Sequence, residues 1–462
     1  MKSFRLLAVL VVCLCLGSAA LAAGAKNVIW VIGDGMGPET MGFFMQGVRY
    51  ADLPGYPDKT SHLEQMLNGG TWGLFFNNTY DTLVTDSASA ATQMATGKFS
   101  RPGTIGEDYN GAQVKTLLEL ARENGKSVGV ISDVYVTDAT PAAFTAHAQN
   151  RKEKMNIARQ MIAFGPDVIL GGGLKYFSTG ENKTLLKQAK KQGYRFAGNK
   201  KDLSKIKFGK VLGLFAPEAI PMSVELEQYP QIPSLLEQTQ KAVEVLSQNP
   251  NGFVLMVEAG KIDWAAHGND AGALFREMQV LDEVLGYVLA YADKSGDTLV
   301  YLNADHDTGL GAFTYRHLGK EKAMEKTAQG EVLYDGNVDY ASFKTYHQFL
   351  LQKRSLYNFK EELKKLPAAQ LTPEFLQQKF SDAVGFEVDL KQFENPTDLD
   401  GLFKQFDEAR GIVWATPAHT SLPLFGVAYG AEDGLFSGVY HNTEILPRMK
   451  AALGFEDLTE EE

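Results

Sequence analysis

A serine that precedes a run of small residues is the first candidate for chemistry in this chain of 462 residues. The triplet Thr82–Val84 has strand character, and an alanine-rich run follows Ser87 and closes at Gly97, which suits a helix C-cap. This pattern predicts a strand-to-helix turn, where free backbone N–H groups favour an anion. A serine there can attack a phosphate if its pKa is lowered. In the simpler alternative, Asp86 is an ordinary N-cap and the alanines only pack.

Polar residues also follow several predicted buried strands. Apolar runs predict parallel strands at Asn27–Ile32, Ser127–Ile131, Asp167–Leu170, Gly252–Val257 and Thr298–Asn303. Asp34 follows the first in a glycine-rich loop, Glu258 ends the fourth, and Asp305 and His306 follow the fifth. In open α/β sheets ligands bind outside the carboxyl ends of strands, so these side chains are candidate metal ligands. A turn-forming Asp34 and a hydrogen-bonded loop histidine are the alternatives.

A second ligand group follows Glu258. Asp263 and His267 are four residues apart, which places them on one face of a helical turn as a workable half-site for zinc, or as a surface ion pair. His419 precedes another apolar strand, Pro423–Ala428. Together the candidates supply enough nitrogen and oxygen ligands for two zinc ions and a harder ion, and two close divalent ions can stabilise an in-line displacement.

The segment Thr137–Pro141 adds oxygen donors. Pro141 fits the first position of a helix capped by Thr140, and Asp138 offers an oxygen for a hard cation. Arg151 could bind a dianionic phosphate in bidentate fashion, although most arginines are solvated surface groups.

The N-terminus and the charge restrict location and partners. Residues 1–22 have the basic, apolar and A-x-A regions of a secretory signal, and the apolar run is too short to span a bilayer. Both cysteines, Cys13 and Cys15, lie within it, so the mature chain has no cysteine. Without Lys2 and Arg5 the chain has 43 basic and 56 acidic residues, a net charge of -13. We expect a periplasmic or secreted protein with no membrane anchor and no nucleic acid as specific partner.

The chain also changes character after residue 309. Residues 339–410 have helical patterns rich in Lys, Glu, Gln and Phe, broken at Pro367, Pro373 and Pro396. We interpret 310–415 as an insertion that forms a lid or an oligomer contact. Residues 23–309 and 416–462 then form the catalytic domain, with amphipathic helices at Ala112–Asn124, Leu235–Leu246 and Thr443–Leu453.

Taken together, the motifs resemble those of the bacterial alkaline phosphatases. The matching stretches are TDSASAATQMATG, GDGMG, VTDATPAA with Arg151, VEAGKIDWAAH, NADHDTG and the late His419, over 27–309 and 416–453. The resemblance implies an α/β fold, a three-layer αβα sandwich around a large mostly parallel central sheet with a helix-rich insertion. It also implies a homodimeric, metal-dependent phosphomonoesterase with two Zn²⁺ and one Mg²⁺ per subunit.

Roles for single residues follow from the same resemblance. Ser87 would be the nucleophile that is phosphorylated and then hydrolysed, and Arg151 would bind two phosphate oxygens. One zinc, on the leaving-group side, would be held by Asp263, His267 and His419. The other, which activates Ser87, would be held by Asp34, Asp305 and His306. The magnesium would be held by Asp34, Thr140 and Glu258, with Asp138 at its water shell.

One position departs from the family pattern, and the motifs also distinguish between related activities. Trp264 stands at the phosphate site where several relatives carry Lys or His to touch phosphate through water, which puts turnover and phosphate release in doubt. Ser87 is not followed by the Pro and Arg of a sulfatase box. Pyrophosphatase-like phosphodiesterases usually use Thr as nucleophile and lack Arg151. A non-catalytic, metal-bearing phosphate-binding protein is the alternative from a different class.

Overall fold

The computed structural model describes residues 24–317 and 338–455. The predicted signal sequence and both cysteines lie outside the described residues. Sixteen strands are described: β1 Asn27–Gly33, β2 Thr71–Phe76, β3 Ser127–Tyr135, β4 Val168–Gly172, β5 Arg195–Ala197, β6 Val211–Leu214, β7 Phe253–Ala259, β8 Thr298–Asn303, β9 Asp307–Thr308, β10 Gly311–Phe313, β11 Arg316–His317, β12 Val338–Asp339, β13 Ile412–Trp414, β14 His419–Thr420, β15 Leu424–Gly430 and β16 Gly438–His441.

Eighteen α-helices are described in the same part of the chain. They are α1 Pro38–Tyr50, α2 His62–Gly69, α3 Ser87–Thr96, α4 Leu117–Glu123, α5 Ala139–Ala143, α6 Lys154–Phe164, α7 Leu174–Ser178, α8 Leu185–Lys191, α9 Lys200–Lys205, α10 Ser223–Leu226, α11 Leu235–Leu246, α12 Lys261–His267, α13 Ala271–Ser295, α14 Lys344–Leu351, α15 Leu356–Leu363, α16 Pro373–Val384, α17 Leu399–Ala409 and α18 Ile445–Leu453. None of these helices combines the length and apolar character needed to cross a bilayer.

Ten strands form one central sheet in the order β16-β2-β15-β8-β1-β7-β3-β4-β6-β5. Only β15 runs opposite to the others, and it pairs antiparallel with both β2 and β8. The strands β1, β7 and β8 are buried along their whole lengths, as their continuous apolar sequences predict. Helices cover the sheet, with α3, α4, α5 and α18 in one packed group and α2, α11 and α13 in another. The predicted α/β fold is therefore confirmed.

The register of the central strands brings the candidate ligands to one edge. Ile32 near the end of β1 lies opposite Glu258 on β7 and opposite Asn303 on β8. The residues that follow these strands therefore leave the sheet at the same end. A hydrogen bond from Trp30 Nε1 to Asn303 Oδ1, at 2.6 Å, links β1 to β8 inside the core.

The helices α15, α16 and α17 share an apolar cluster that is separate from the main core. Its buried side chains include Leu376, Phe380, Leu402 and Phe406. The strands β10 and β13 pair antiparallel, with Gly311 opposite Trp414, so the chain leaves and re-enters at neighbouring points.

Local predictions differ from the structure at three places. Thr82–Val84 is a bend and not a strand: Leu83 is 81% exposed, and hydrogen bonds between Thr79 and Thr82 close a turn there. The helix predicted from residue 112 begins at Leu117, because Thr116 and Glu119 form a capping box. The last helix begins at Ile445, after a short 3₁₀ turn.

Candidate active site

Ser87 is the first residue of α3, and its side chain is buried at 3% exposure. The preceding Asp86 is the N-cap, and its Oδ1 accepts the backbone N–H of Ser89 at 3.0 Å. Gly97 closes the helix in the left-handed region, as predicted. The Ser87 hydroxyl lies 3.0 Å from His306 Nε2. The capping alternative is therefore true of Asp86, and it coexists with a buried, oriented serine.

Three oxygens converge on one nitrogen of His306. Besides the Ser87 hydroxyl, Asp34 Oδ1 lies 3.4 Å and Asp305 Oδ2 lies 3.3 Å from His306 Nε2. Both carboxylate oxygens are buried and have no hydrogen-bond partner. Two carboxylates and an imidazole that converge in this way form a donor set suited to zinc.

Asp263, His267 and His419 form a second group of the same kind. His267 Nε2 lies 3.1 Å from His419 Nε2 and 3.4 Å from Asp263 Oδ1. His267 Nδ1 donates to the Pro417 carbonyl at 2.6 Å, and His419 Nδ1 donates to the Thr85 carbonyl at 2.9 Å. Because a carbonyl only accepts, Nδ1 of each ring carries a proton. The two Nε2 atoms that face each other are therefore the positions at which both rings could bind one metal ion.

The two groups are in direct contact. The rings of His306 and His419 stack with centroids 3.6 Å apart. Thr308 Oγ1 donates to Asp263 Oδ1 at 2.6 Å and lies 3.2 Å from His306 Nδ1. The two candidate ligand groups are therefore neighbours, and Ser87 contacts the one that contains His306.

The electrostatics of the buried groups also favour cations. Burial, and next the repulsion from Asp305 and Asp263, raise the pKa of Asp34 well above its usual range. Burial lowers the pKa of His306 well below its usual range, which keeps the imidazole neutral and able to bind a metal. Bound divalent ions would reverse the carboxylate shift, because they stabilise the ionised form.

Glu258 and Thr140 each have a buried oxygen without a hydrogen-bond partner. These atoms are Glu258 Oε1 and Thr140 Oγ1, while Ser132 donates to the other Glu258 oxygen. Burial raises the pKa of Glu258 well above its usual range, and its charge in turn raises that of Asp34. Oxygen donors of this kind suit Mg²⁺.

Arg151 lies between two carboxylates. Its Nη1 donates to Asp86 Oδ2 at 3.1 Å, and its Nη2 donates to Asp138 Oδ1 at 3.3 Å. Asp138, rather than Thr140, caps α5 and accepts the N–H of Ala139 at 2.8 Å, so the capping prediction for Thr140 was wrong. Burial pushes the pKa of Asp138 up, but Lys154 and Arg151 outweigh it and lower the pKa.

Trp264 lies on α12 between Asp263 and His267 but makes aromatic contacts of its own. Its ring is 5.8 Å from Tyr135 in an edge-to-face arrangement, and Lys261 Nζ lies 4.2 Å from its centroid. The Trp264 side chain therefore contacts β3 and its own helix.

Several residues of the site escaped the sequence analysis. Asp133 Oδ1 accepts the N–H groups of Gly260 and Lys261, at 2.8 and 3.2 Å, and so fixes the start of α12. The sequence feature that could have pointed to Asp133 is the polar pair Ser132 and Asp133 within a mostly apolar strand. Lys154 contacts Asp138 from the start of α6, and no local pattern pointed to it.

Comparisons with known proteins agree with this geometry. The family model for alkaline phosphatase matches residues 25–455. Alkaline phosphatase 3 of Bacillus subtilis strain 168 is 32% identical over 448 residues, which cover 93% of this chain and 89% of that protein.

Solved structures give the same result. The crystal structure of a cold-active alkaline phosphatase from the psychrophile Shewanella sp. matches with a TM-score of 0.75 and 30% identity, covering 92% of this chain and 99% of that chain. Thermus thermophilus alkaline phosphatase matches with a TM-score of 0.78 and 26% identity, covering 94% and 93%. The chain therefore belongs to the alkaline phosphatase family of phosphomonoester hydrolases.

Proposed function

We propose that this protein is a metal-dependent phosphomonoesterase that forms a phosphoserine intermediate on Ser87. The observation that carries the proposal is the position of the Ser87 hydroxyl, 3.0 Å from His306 Nε2, which belongs to one of two neighbouring groups of candidate metal ligands. The first N–H groups of α3 carry partial positive charge at the same point, which favours a phosphate. A nucleophile and an anion site thus coincide.

The residues fit two Zn²⁺ and one Mg²⁺ per subunit. One zinc would be held by Asp34, Asp305 and His306, the other by Asp263, His267 and His419, and the magnesium by Asp34, Thr140 and Glu258, with Asp138 nearby. When bound, these ions would lower the pKa of the serine hydroxyl and of water, and would stabilise charge on the attacking and leaving oxygens.

The reaction takes place in two displacements. Ser87 Oγ loses its proton and attacks phosphorus, the bond from phosphorus to the ester oxygen breaks, and the alcohol leaves with a proton. A water then attacks the phosphoserine, the bond to Oγ breaks, and inorganic phosphate and the serine hydroxyl are restored. Arg151 uses two of its five N–H donors on Asp86 and Asp138, so others can bind the phosphate oxygens. Trp264 stands beside this site on α12.

We further propose export, a homodimer and a separate role for 310–415. Residues 1–22 have the pattern of a secretory signal, which favours a periplasmic or secreted enzyme that acts on small-molecule phosphate monoesters. The helices α15, α16 and α17 within 310–415 share a separate apolar cluster, which supports the interpretation of this segment as a lid or dimer contact on a catalytic domain formed by 23–309 and 416–462.

The test is hydrolysis of p-nitrophenyl phosphate by the zinc- and magnesium-loaded protein and by Ser87→Ala. We expect activity in the first and a loss of several orders of magnitude in the second. Ser89→Ala, which removes another buried hydroxyl of α3, is the matched control and should retain most of the activity.

Two further measurements separate the alternatives. Acid quenching during turnover should leave one phosphoryl group on the peptide that contains Ser87, detected by mass spectrometry. A diester, bis-p-nitrophenyl phosphate, should react far more slowly than the monoester. Equal rates for wild type and Ser87→Ala would refute the proposal, as would no activity after metal loading.

A further inference from the structure

Lys154 shares an acceptor with Arg151. Its Nζ donates to Asp138 Oδ1 at 2.7 Å, and Arg151 Nη2 donates to the same oxygen at 3.3 Å. The lysine side chain is only 17% exposed, and that of Asp138 is 13% exposed. A largely buried ammonium thus contacts the carboxylate that also binds the guanidinium.

The position of Lys154 is not explained by the helix that carries it. Lys154 is the first residue of α6, where the partial positive charge of the helix N-terminus disfavours a cation. Instead, Nζ lies 4.6 Å from the centroid of the Tyr135 ring, a distance typical of a cation–π contact. Tyr135 and Asp138 therefore hold the ammonium in place from two sides.

Among the charged groups that form hydrogen bonds with Arg151 or with Asp138, the charges balance only if Lys154 is counted. Asp86 and Asp138 each accept a hydrogen bond from Arg151, so two negative charges surround one guanidinium. Lys154 makes the group of four neutral. Without Lys154 the group would carry one excess negative charge next to the point where a dianionic phosphate binds. Of the four groups, only Arg151 would then remain to neutralise Asp138.

We propose that Lys154 is a positioning residue for phosphate recognition. By neutralising Asp138 it leaves the Arg151 guanidinium free to bind phosphate oxygens. This role rests on the proposed phosphomonoesterase function, and it places a second cation near the phosphate site from α6. Lys154 acts through Asp138 and Arg151, so it affects the affinity for phosphate more than the chemical step.

The test compares Lys154→Met with Lys154→Arg in the full-length, zinc- and magnesium-loaded protein. Lys154→Met should raise the KM for p-nitrophenyl phosphate, and the dissociation constant of inorganic phosphate measured by calorimetry, by about tenfold, because a charge is lost in a poorly solvated site. The kcat should change by less than about threefold, since no reacting group is removed. Lys154→Arg should restore both constants toward wild type.

Two further variants make the result specific. Lys152→Met removes the same charge from an exposed lysine two residues away and should leave both constants unchanged. Adding Asp138→Asn to Lys154→Met removes the excess carboxylate, and should recover most of the lost phosphate affinity. Melting temperatures show whether each variant is folded, and the double variant provides a second test if Lys154→Met is not.

Phosphate binding and the kinetic constants of these variants test the role of Lys154. If Lys154→Met has the same phosphate dissociation constant as Lys152→Met, or if its kcat falls while KM and phosphate binding stay the same, the proposal is wrong. If the double variant is no better than Lys154→Met, the proposed route through Asp138 is wrong. If wild type binds phosphate with the predicted dependence on Lys154 but hydrolyses no monoester, the proposed function fails and the role of Lys154 stands.

Discussion

Replacement of Asp86 should destabilise the protein because this one carboxylate fixes the segment around Ser87. Its Oδ1 accepts the Ser89 N–H at 3.0 Å, the Ser89 hydroxyl at 2.8 Å and the Gly103 N–H at 3.0 Å. Its Oδ2 accepts from Arg151 at 3.1 Å. Asp86→Ala removes all four contacts, whereas Asp86→Asn keeps a carbonyl oxygen for the N-cap and loses the negative charge. The two variants therefore separate the cap from the charge.

The contacts set the size of the effect. Loss of an N-cap costs about 1 kcal/mol. A buried N–H such as that of Gly103, left without its charged acceptor, adds about 1.5 kcal/mol. The ion pair with Arg151 adds about 0.5 kcal/mol, because the Asp86 side chain is 26% exposed and partly screened by solvent. We therefore expect Asp86→Ala to lower the free energy of unfolding by about 3 kcal/mol, and Asp86→Asn to lower it by about 1 kcal/mol.

The assay is urea denaturation near neutral pH with equal metal loading, followed by tryptophan fluorescence. Burial alone would raise the pKa of Asp86, but the N–H groups of Ser89 and Gly103 and the Arg151 guanidinium outweigh it and lower the pKa. A lowered carboxyl pKa stabilises the fold above the unfolded pKa of about 4 and loses that effect as the pH falls through the folded value. The gap between wild type and Asp86→Asn should therefore stay constant from about pH 6 to about pH 8. Equal destabilisation by Ala and Asn would refute the capping argument.

Two other predictions concern the metals and a buried carboxyl. Chelation should abolish hydrolysis and lower the melting temperature, because ions that bind only the native state stabilise it by about 2.7 kcal/mol per site at a hundredfold excess over Kd. Zinc should restore both the activity and the melting temperature, and magnesium alone should not. An unchanged melting temperature would contradict the metal assignment. Burial, followed by repulsion from Asp133, raises the pKa of Glu277 to about 8. Glu277 keeps its proton in the native state, whereas in the unfolded chain it releases the proton above about pH 4.5. Urea titrations should therefore show that the free energy of unfolding of the wild type falls relative to that of Glu277→Gln as the pH rises from about 5 to about 8. The decrease should reach up to about 1.4 kcal/mol per pH unit. A pH-independent difference would show that Glu277 is ionised in the native state.

The local sequence was sufficient to predict the central strands and most of the candidate ligands. Continuous apolar runs identify strands buried on both faces, and the candidate ligands Asp34, Asp305 and His306 follow such runs directly in the chain. Because parallel strands end at the same edge, proximity of these residues follows from topology once the sheet is recognised. Asp263 and His267 needed only helical spacing.

Local sequence patterns could not predict the contacts between segments that are distant in the chain. Nothing near Asp138 indicates that Lys154, sixteen residues later, contacts it, and nothing near Glu258 indicates Ser132, because strand register decides that pair. The wrong strand at Thr82–Val84 has a related cause. Three apolar or β-branched residues satisfy strand propensity, but none of the described strands pairs with them. Side-chain hydrogen bonds within the turn determine the conformation instead.

The hydrogen bond of His419 links one of the two candidate metal-ligand groups to the segment that carries Ser87. His419 Nδ1 donates to the carbonyl of Thr85, two residues before Ser87, at 2.9 Å. That bond leaves Nε2 as a lone pair facing His267, and it also fixes the loop that leads into α3. A change that moves the Thr85 carbonyl would therefore release the His419 ring and displace Ser87 together. Conversely, a cation between the two histidines would hold the ring, and through it the loop, in the arrangement that directs the Ser87 hydroxyl toward His306. If His419 binds a metal ion as proposed, metal binding and the placement of Ser87 are one structural event, because the backbone that holds the His419 ring belongs to the segment that leads to Ser87.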